Sequence, residues 1–174
     1  DVKCGQGTLT KAGGDEYTGE WVADSANGTG TFVWANGDTY VGEWLDNQKH
    51  GKGVFTWPDG EVYTGDFVSG LRAGNCVIEY ADGSIYTGTV LKGLKNGKGH
   101  IVFADDGQTD VKEYEGEYAE DLEHGTGKML YLDGCMYEGQ FKAGCQHGHG
   151  KYTYENGDIY DGQWENDAKQ GQGK

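Results

Sequence analysis

The sequence predicts an all-β fold: an elongated, single-layer antiparallel meander of repeated 23-residue β-hairpins. Three observations carry this reading. The pattern Tyr-x-Gly-x-aromatic begins at Tyr17, Tyr40, Tyr63, Tyr86, Tyr114, Tyr137 and Tyr160, at spacings of 23, 23, 23, 28, 23 and 23 residues. Eleven residues after each Tyr stands Gly-x-Gly, from Gly28/Gly30 and Gly51/Gly53 through Gly148/Gly150 to Gly171/Gly173, with Cys76 replacing the second glycine in one copy. Between the glycines, apolar and polar residues alternate, as in TFVW before Asn36-Gly37 and TYVGEW after it, which is the period of a strand and not of a helix.

Each repeat then reads as a hairpin closed by a third glycine, at Gly14, Gly37, Gly60, Gly83, Gly107, Gly134 and Gly157. The copy Trp57-Pro58-Asp59-Gly60-Glu61 defines the turn. Proline presets the φ of a type I turn, and glycine supplies the left-handed residue that follows, so the loop has three residues. That loop sets Phe55 opposite Tyr63, Gly53 opposite Gly65 and Gly51 opposite Phe67, with every ring on one face. In the other copies the same face reads Phe32, Trp34, Tyr40 and Trp44; Ile78, Tyr80 and Tyr86; Met129, Tyr131, Tyr137 and Phe141; then Tyr152, Tyr154, Tyr160 and Trp164. The other face carries Thr31, Val33, Thr39, Val41 and Glu43 and can stay wet, while the paired glycines leave a trough that flanking rings can cover. About 15 strands at ~4.8 Å would make a rod of roughly 70 Å.

Composition agrees with a repeat array. Leu, Ile, Val and Phe make up only 28 of 174 residues, too few for a layered core, yet there are 12 Tyr, 5 Trp and 33 Gly against a single Pro. A net charge of −15 argues against nucleic acid and against an anionic membrane surface as partners. No apolar run reaches the ~18 residues of a spanning helix. Cys4, Cys76, Cys135 and Cys145 form no CxxC pair, which points to a reduced, cytoplasmic compartment.

Stretches such as YVGEWLDNQKHGKGVFTWPDGEV and YEGQFKAGCQHGHGKYTYENGDI resemble membrane occupation and recognition nexus (MORN) repeats along the whole chain, residues 1–174. The chain begins and ends in mid-repeat and is expected to be a piece of a longer array. The departures are Val90 for the aromatic, Cys76 for glycine and a five-residue excess around Gln108 to Glu113. The resemblance implies a cytoskeletal scaffold, as in repeat-only proteins of cell-division structures in protozoan parasites. It also raises an alternative, a phospholipid- or membrane-binding module linking membrane to cytoskeleton.

No catalytic constellation stands out. The acids Glu20, Glu43, Asp66 and Glu117 recur at one repeat position and read as solvated strand residues, and the Gly-x-Gly pairs lack the Lys-Ser/Thr of a phosphate loop. The expected structural groove comprises Tyr40, Trp44, Tyr63, Phe67, Tyr137, Phe141, Tyr160 and Trp164. One copy alone carries Cys145-x-His147-x-His149, three ligands suited to a structural zinc if an extended strand aims them the same way, with a fourth supplied across a homodimer. The same C-terminal repeats are the expected homodimer contact, because a one-layer sheet leaves end strands unpaired.

Overall fold

The computed structural model describes residues 2–171, so Gly173 lies outside the described residues. Fifteen strands form one antiparallel sheet in strict sequence order, and no helix occurs among the described residues. The chain falls into two compact units, the first running to Ala81 and taking in Leu91–Gly93, the second holding Asp82–Val90 and everything from Leu94 onward.

The first unit contains β1 (Gly5–Thr10), β2 (Glu16–Val22), β3 (Ser25–Val33), β4 (Thr39–Leu45), β5 (Gln48–Thr56), β6 (Val62–Val68) and β7 (Leu71–Glu79). Its wide turns are as the sequence predicts. Trp57 N–H donates to the Glu61 carbonyl (2.9 Å) and Gly60 N–H to the Trp57 carbonyl (3.1 Å), with Gly60 at φ 97°. Phe55 consequently pairs with Tyr63, Gly53 with Gly65 and Gly51 with Phe67.

The alternate connections are of a second kind. Asp46-Asn47 joins β4 to β5 with both residues at positive φ (47° and 64°), a two-residue turn whose twist matches the strands. Asn47 also reaches the preceding repeat, donating its N–H to the Ala26 carbonyl (3.0 Å) while its Oδ1 accepts from Ala26 N–H (2.8 Å). A two-residue turn and a three-residue loop demand different registers. The strand reconciles them with a bulge: Gly42 pairs with Gly53 but Glu43 with His50, leaving Gly51 and Lys52 unmatched.

The second unit contains β8 (Ile85–Leu91, its last residue grouped with the first unit), β9 (Leu94–Val102), β10 (Val111–Ala119), β11 (Leu122–Tyr131), β12 (Met136–Lys142), β13 (Cys145–Thr153), β14 (Ile159–Glu165) and β15 (Ala168–Gln170). It repeats the same devices. The bulge recurs between Gly139 and Gln140, and Asp167 clasps Gln146 as Asn47 clasps Ala26, with N–H to carbonyl at 3.1 Å and Oδ1 from N–H at 2.8 Å. The five-residue excess is a longer loop between β9 and β10, closed by Phe103 N–H to the Lys112 carbonyl at 3.0 Å.

The bulge explains three of the four recurring acids, which are structural and not merely solvated, while Asp66 pairs with Lys52 (2.7 Å). Glu43 Oε1 accepts the unmatched Lys52 N–H (2.8 Å), Glu20 Oε1 the Thr29 N–H (3.0 Å) and Glu117 Oε1 the Thr126 N–H (3.3 Å). Hydrogen bonds from Thr29 and Thr126 hold Glu20 and Glu117 below the ordinary carboxylate range. In one copy a neutral amide does the same work, Gln140 Oε1 accepting from His149 N–H at 2.8 Å. Because the folded value is depressed, the stabilisation is complete above the unfolded carboxylate value and disappears as pH falls through the folded one. Glu117→Gln is therefore expected to keep the cap and remove its titration. In denaturant melts at pH 7 and pH 3 the variant should lose less stability than the parent; an equal loss would show that Glu117 contributes nothing to acid sensitivity.

A candidate interaction groove

The repeat tyrosine lies over the glycine pair. Tyr40 is 0% exposed; a Cβ on Gly42 would stand 2.5 Å from its hydroxyl and 2.6 Å from Gly53 Cα. At Gly42 nothing larger than glycine leaves room for that ring. The hydroxyl donates to the carbonyl three residues on, Glu43 for Tyr40 (2.9 Å), Asp66 for Tyr63 (2.9 Å) and Gln140 for Tyr137 (2.8 Å). Burial, ahead of the neighbouring charge of Glu43, pushes the Tyr40 hydroxyl up to about 12, and burial does the same for Tyr137.

In the first unit the rings interlock edge to face, with Tyr40 against Trp44 at 5.2 Å and Phe67 at 5.0 Å, and the Trp44 indole N–H donates to the Gly30 carbonyl (3.1 Å). In the second unit Tyr137 meets Phe141 and Trp164, both at 5.1 Å. Trp164 donates its indole N–H to the Gly150 carbonyl (3.0 Å), while Tyr160 is half-buried. Seven of the eight expected groove residues are thus the core itself. They form a floor. The rings that face outward stand six residues before five of the seven repeat tyrosines: half-buried Trp34, Trp57, Tyr80 and Tyr131, and Tyr154 at 37% exposed.

Composition gave no sign of a second feature, a file of cations along this aromatic face. The two-residue turn pairs Lys49 with Trp44. There Lys49 Nζ lies over Phe55 (4.3 Å), Phe67 (5.3 Å), Trp34 (5.5 Å) and Tyr40 (5.7 Å). Burial first, and then the charge of Arg72, lowers the Lys49 ammonium from its ordinary value. Arg72 lies over Trp57 and Tyr63, both at 5.4 Å. In the second unit Lys95 covers Tyr118 (5.0 Å) and Lys169 covers Tyr154 (4.6 Å).

The expected zinc ligands do not converge. Gly148, at φ 63°, sits in the bulge with the Gln140 carboxamide laid across it, between His147 and His149. His149 Nε2 turns to Asp161 Oδ1 (3.0 Å), and the Cys145 thiol turns to Asp167, whose hydrogen bond raises it from its ordinary value. Regular alternation would have aimed all three together, and the left-handed glycine destroys it. Among the described residues no group of three His, Cys, Asp or Glu is placed to hold a metal. The opposite face of the second unit has a hollow of about 830 Å³ whose lining mixes Lys98, Lys128, Glu115 and Glu138. It has neither an apolar floor nor a charge of one sign.

A family model described as the MORN repeat matches residues 1–16, 17–39, 40–62, 63–85, 86–108, 114–136, 137–159 and 160–174. The segment it skips, 109–113, is the five-residue excess. No curated protein matches the chain. Among solved structures the chain is similar to the TCP domain of SAS-4 (dCPAP) of Drosophila melanogaster, held there with a proline-rich motif of Ana2 (dSTIL). That similarity is 12% identity over 91% of this chain and 90% of that one, with a TM-score of 0.48. It is also similar to the TCP10 domain of Danio rerio CPAP, at 13% identity over 97% of this chain and 88% of that one, with a TM-score of 0.39. No helix among the described residues is long and apolar enough to cross a membrane.

Proposed function

The chain belongs to the MORN-repeat family, and on that premise we propose that it is a non-enzymatic scaffold whose aromatic face holds segments of cytoskeletal partner proteins in a cytoplasmic, cytoskeleton-associated assembly. One observation carries this reading. Each unit sets outward rings and cations, Trp34, Lys49, Trp57 and Arg72 in the first and Lys95, Tyr131, Tyr154 and Lys169 in the second, on a floor of interlocked buried rings. Rigid amphipathic rings bearing polar tips are efficient contact groups because little side-chain freedom is lost when they are covered.

Peptides selected from a random library on the immobilised chain are expected to lose binding on Trp34→Ala or Tyr154→Ala while the chain stays folded. Selected peptides that survive both changes and fail on Val41→Glu, at an exposed position of the opposite face, would overturn the groove reading. The phospholipid-binding alternative draws on the same cations, but they lie over rings and the net charge is −15, so vesicles of anionic lipid at physiological salt should leave the chain in solution. The proposal extends to homodimerisation through the C-terminal repeats, where Tyr154 stands 37% exposed on the aromatic face. A monomeric mass in solution at high protein concentration rejects that part alone.

A further inference from the structure

The cation file is interrupted. The place held by Lys49, Arg72, Lys95 and Lys169 falls to Ala26, Glu123 and Gln146 in the repeats of Tyr17, Tyr114 and Tyr137; beside Ala26, Lys3 and Lys11 lie over Trp21 and Phe32 instead (5.1 and 5.2 Å). Gln146 cannot stand in for a cation: it is 5% exposed, and its Nε2 donates to the Tyr131 hydroxyl at 2.6 Å. Gln146 also lines an open hollow of about 690 Å³, together with Met129, Trp164 and the adjoining rings of Tyr131 and Tyr152 (centroids 5.9 Å apart).

Three carboxylates rim this hollow, Asp110, Asp133 and Asp167. Asp110 belongs to the five-residue excess that no other repeat has. Its carbonyl accepts from Leu132 N–H (2.8 Å), which ties the long loop to the turn that carries Asp133. Asp133 and Asp167 are fixed in turn by backbone donors, Oδ1 of the first accepting from Cys135 N–H and Oδ1 of the second from Gln146 N–H, both at 2.8 Å. The field of these acids reaches the outward ring of Tyr131: burial first, and then Asp110 and Asp167, push its hydroxyl up to about 12. One cation opposes them, Lys169, which closes the far side over Tyr152 and Tyr154. Three anions against one cation leave the rim negative.

We infer that this hollow receives a basic side chain, arginine or lysine, carried by the partner segment. The occupant is defined by the chain's own precedent: where the groove is complete, the chain's own ammonium or guanidinium lies over the rings, and beside Gln146, where its own is missing, three carboxylates stand instead. Planar guanidinium stacks on Tyr131 while pairing with Asp110 or Asp133. The inference rests on the groove reading above and names the chemistry that the groove selects.

The probe is a fluorescently labelled ten-residue Gly-Ser peptide carrying three arginines, compared with the same peptide carrying citrulline, which keeps the shape and loses the charge. At physiological salt the arginine peptide is expected to bind at least fivefold more tightly. The double variant Asp110→Asn with Asp133→Asn should reduce that preference about fivefold, the scale of two exposed charge contacts. Glu79→Gln with Asp46→Asn removes the same total charge from the other unit and should leave it intact. Equal binding of the two peptides, or an equal loss in the control variant, overturns the inference. Library peptides that bind the groove without any basic residue sink this inference and leave the groove reading standing; an absence of groove binders removes the groove reading itself.

Discussion

Tyr137→Ala should lower the stability of the chain by about 4 kcal/mol, within the range for removing a fully buried aromatic ring. The ring is 0% exposed and lies against Phe141 of its own repeat and Trp164 of the next, both at 5.1 Å. The vacated space cannot collapse, because its other wall is the backbone of Gly139 and Gly150, which is fixed by strand pairing. Tyr137→Phe separates the hydroxyl from the ring. It removes the bonds to the carbonyls of Gln140 (2.8 Å) and His147 (3.5 Å) and should cost about 1 kcal/mol. Tyr160, half-buried, should cost less than Tyr137 on truncation. Denaturant unfolding of the three variants checks the order. A Tyr137→Ala protein with unchanged unfolding but weakened peptide binding would make the ring a contact group and contradict its place in the floor.

The floor was legible because its cause is periodic. Tyrosine, glycine and aromatic at fixed spacing, with one proline to identify the turn, fixed the pairing of Phe55 with Tyr63, and the structure has that register. The two-residue turns gave a weaker signal. Ala23-Asp24, Lys92-Gly93 and Glu120-Asp121 put non-glycine residues at positive φ in the first place, where Asn-Gly would have announced the turn. Without those turns the bulge cannot be deduced, and everything that depends on the bulge was hidden: Glu43 as a cap, Lys49 over the rings, and the divergence of Cys145, His147 and His149 around Gly148. The one available clue was that Asp, Asn or Gly fills the second turn position in every repeat. The five-residue excess was visible as an irregularity, but that it sets Asp110 beside Tyr131 depends on how the loop closes.

The glycine pair sets a sharper test, because its two halves are not equivalent. Gly42→Ala should cost about 3 kcal/mol: the new Cβ would lie 2.5 Å from the Tyr40 hydroxyl, 2.6 Å from Gly53 Cα and 2.6 Å from the Lys52 carbonyl, and two of those three neighbours are backbone. On the other strand the chain has made the substitution itself. Cys76 stands at the position of Gly53, opposite Gly65, buried so that its thiol is pushed up to about 11, and Tyr63 still donates to the Asp66 carbonyl at 2.9 Å. A Cβ is therefore tolerated on that strand provided its partner remains glycine. Gly53→Ala should accordingly cost less than Gly42→Ala, despite the approach of the Tyr40 ring. Gly60→Ala isolates the backbone cost, since φ is 97° and nothing lies within 4 Å of the added Cβ; about 1 kcal/mol is expected there. The expected order of destabilisation is Gly42→Ala, then Gly53→Ala, then Gly60→Ala. If unfolding curves placed Gly42→Ala level with Gly60→Ala, the glycine pair would be a matter of chain freedom, and the ring over it would not be what excludes a side chain.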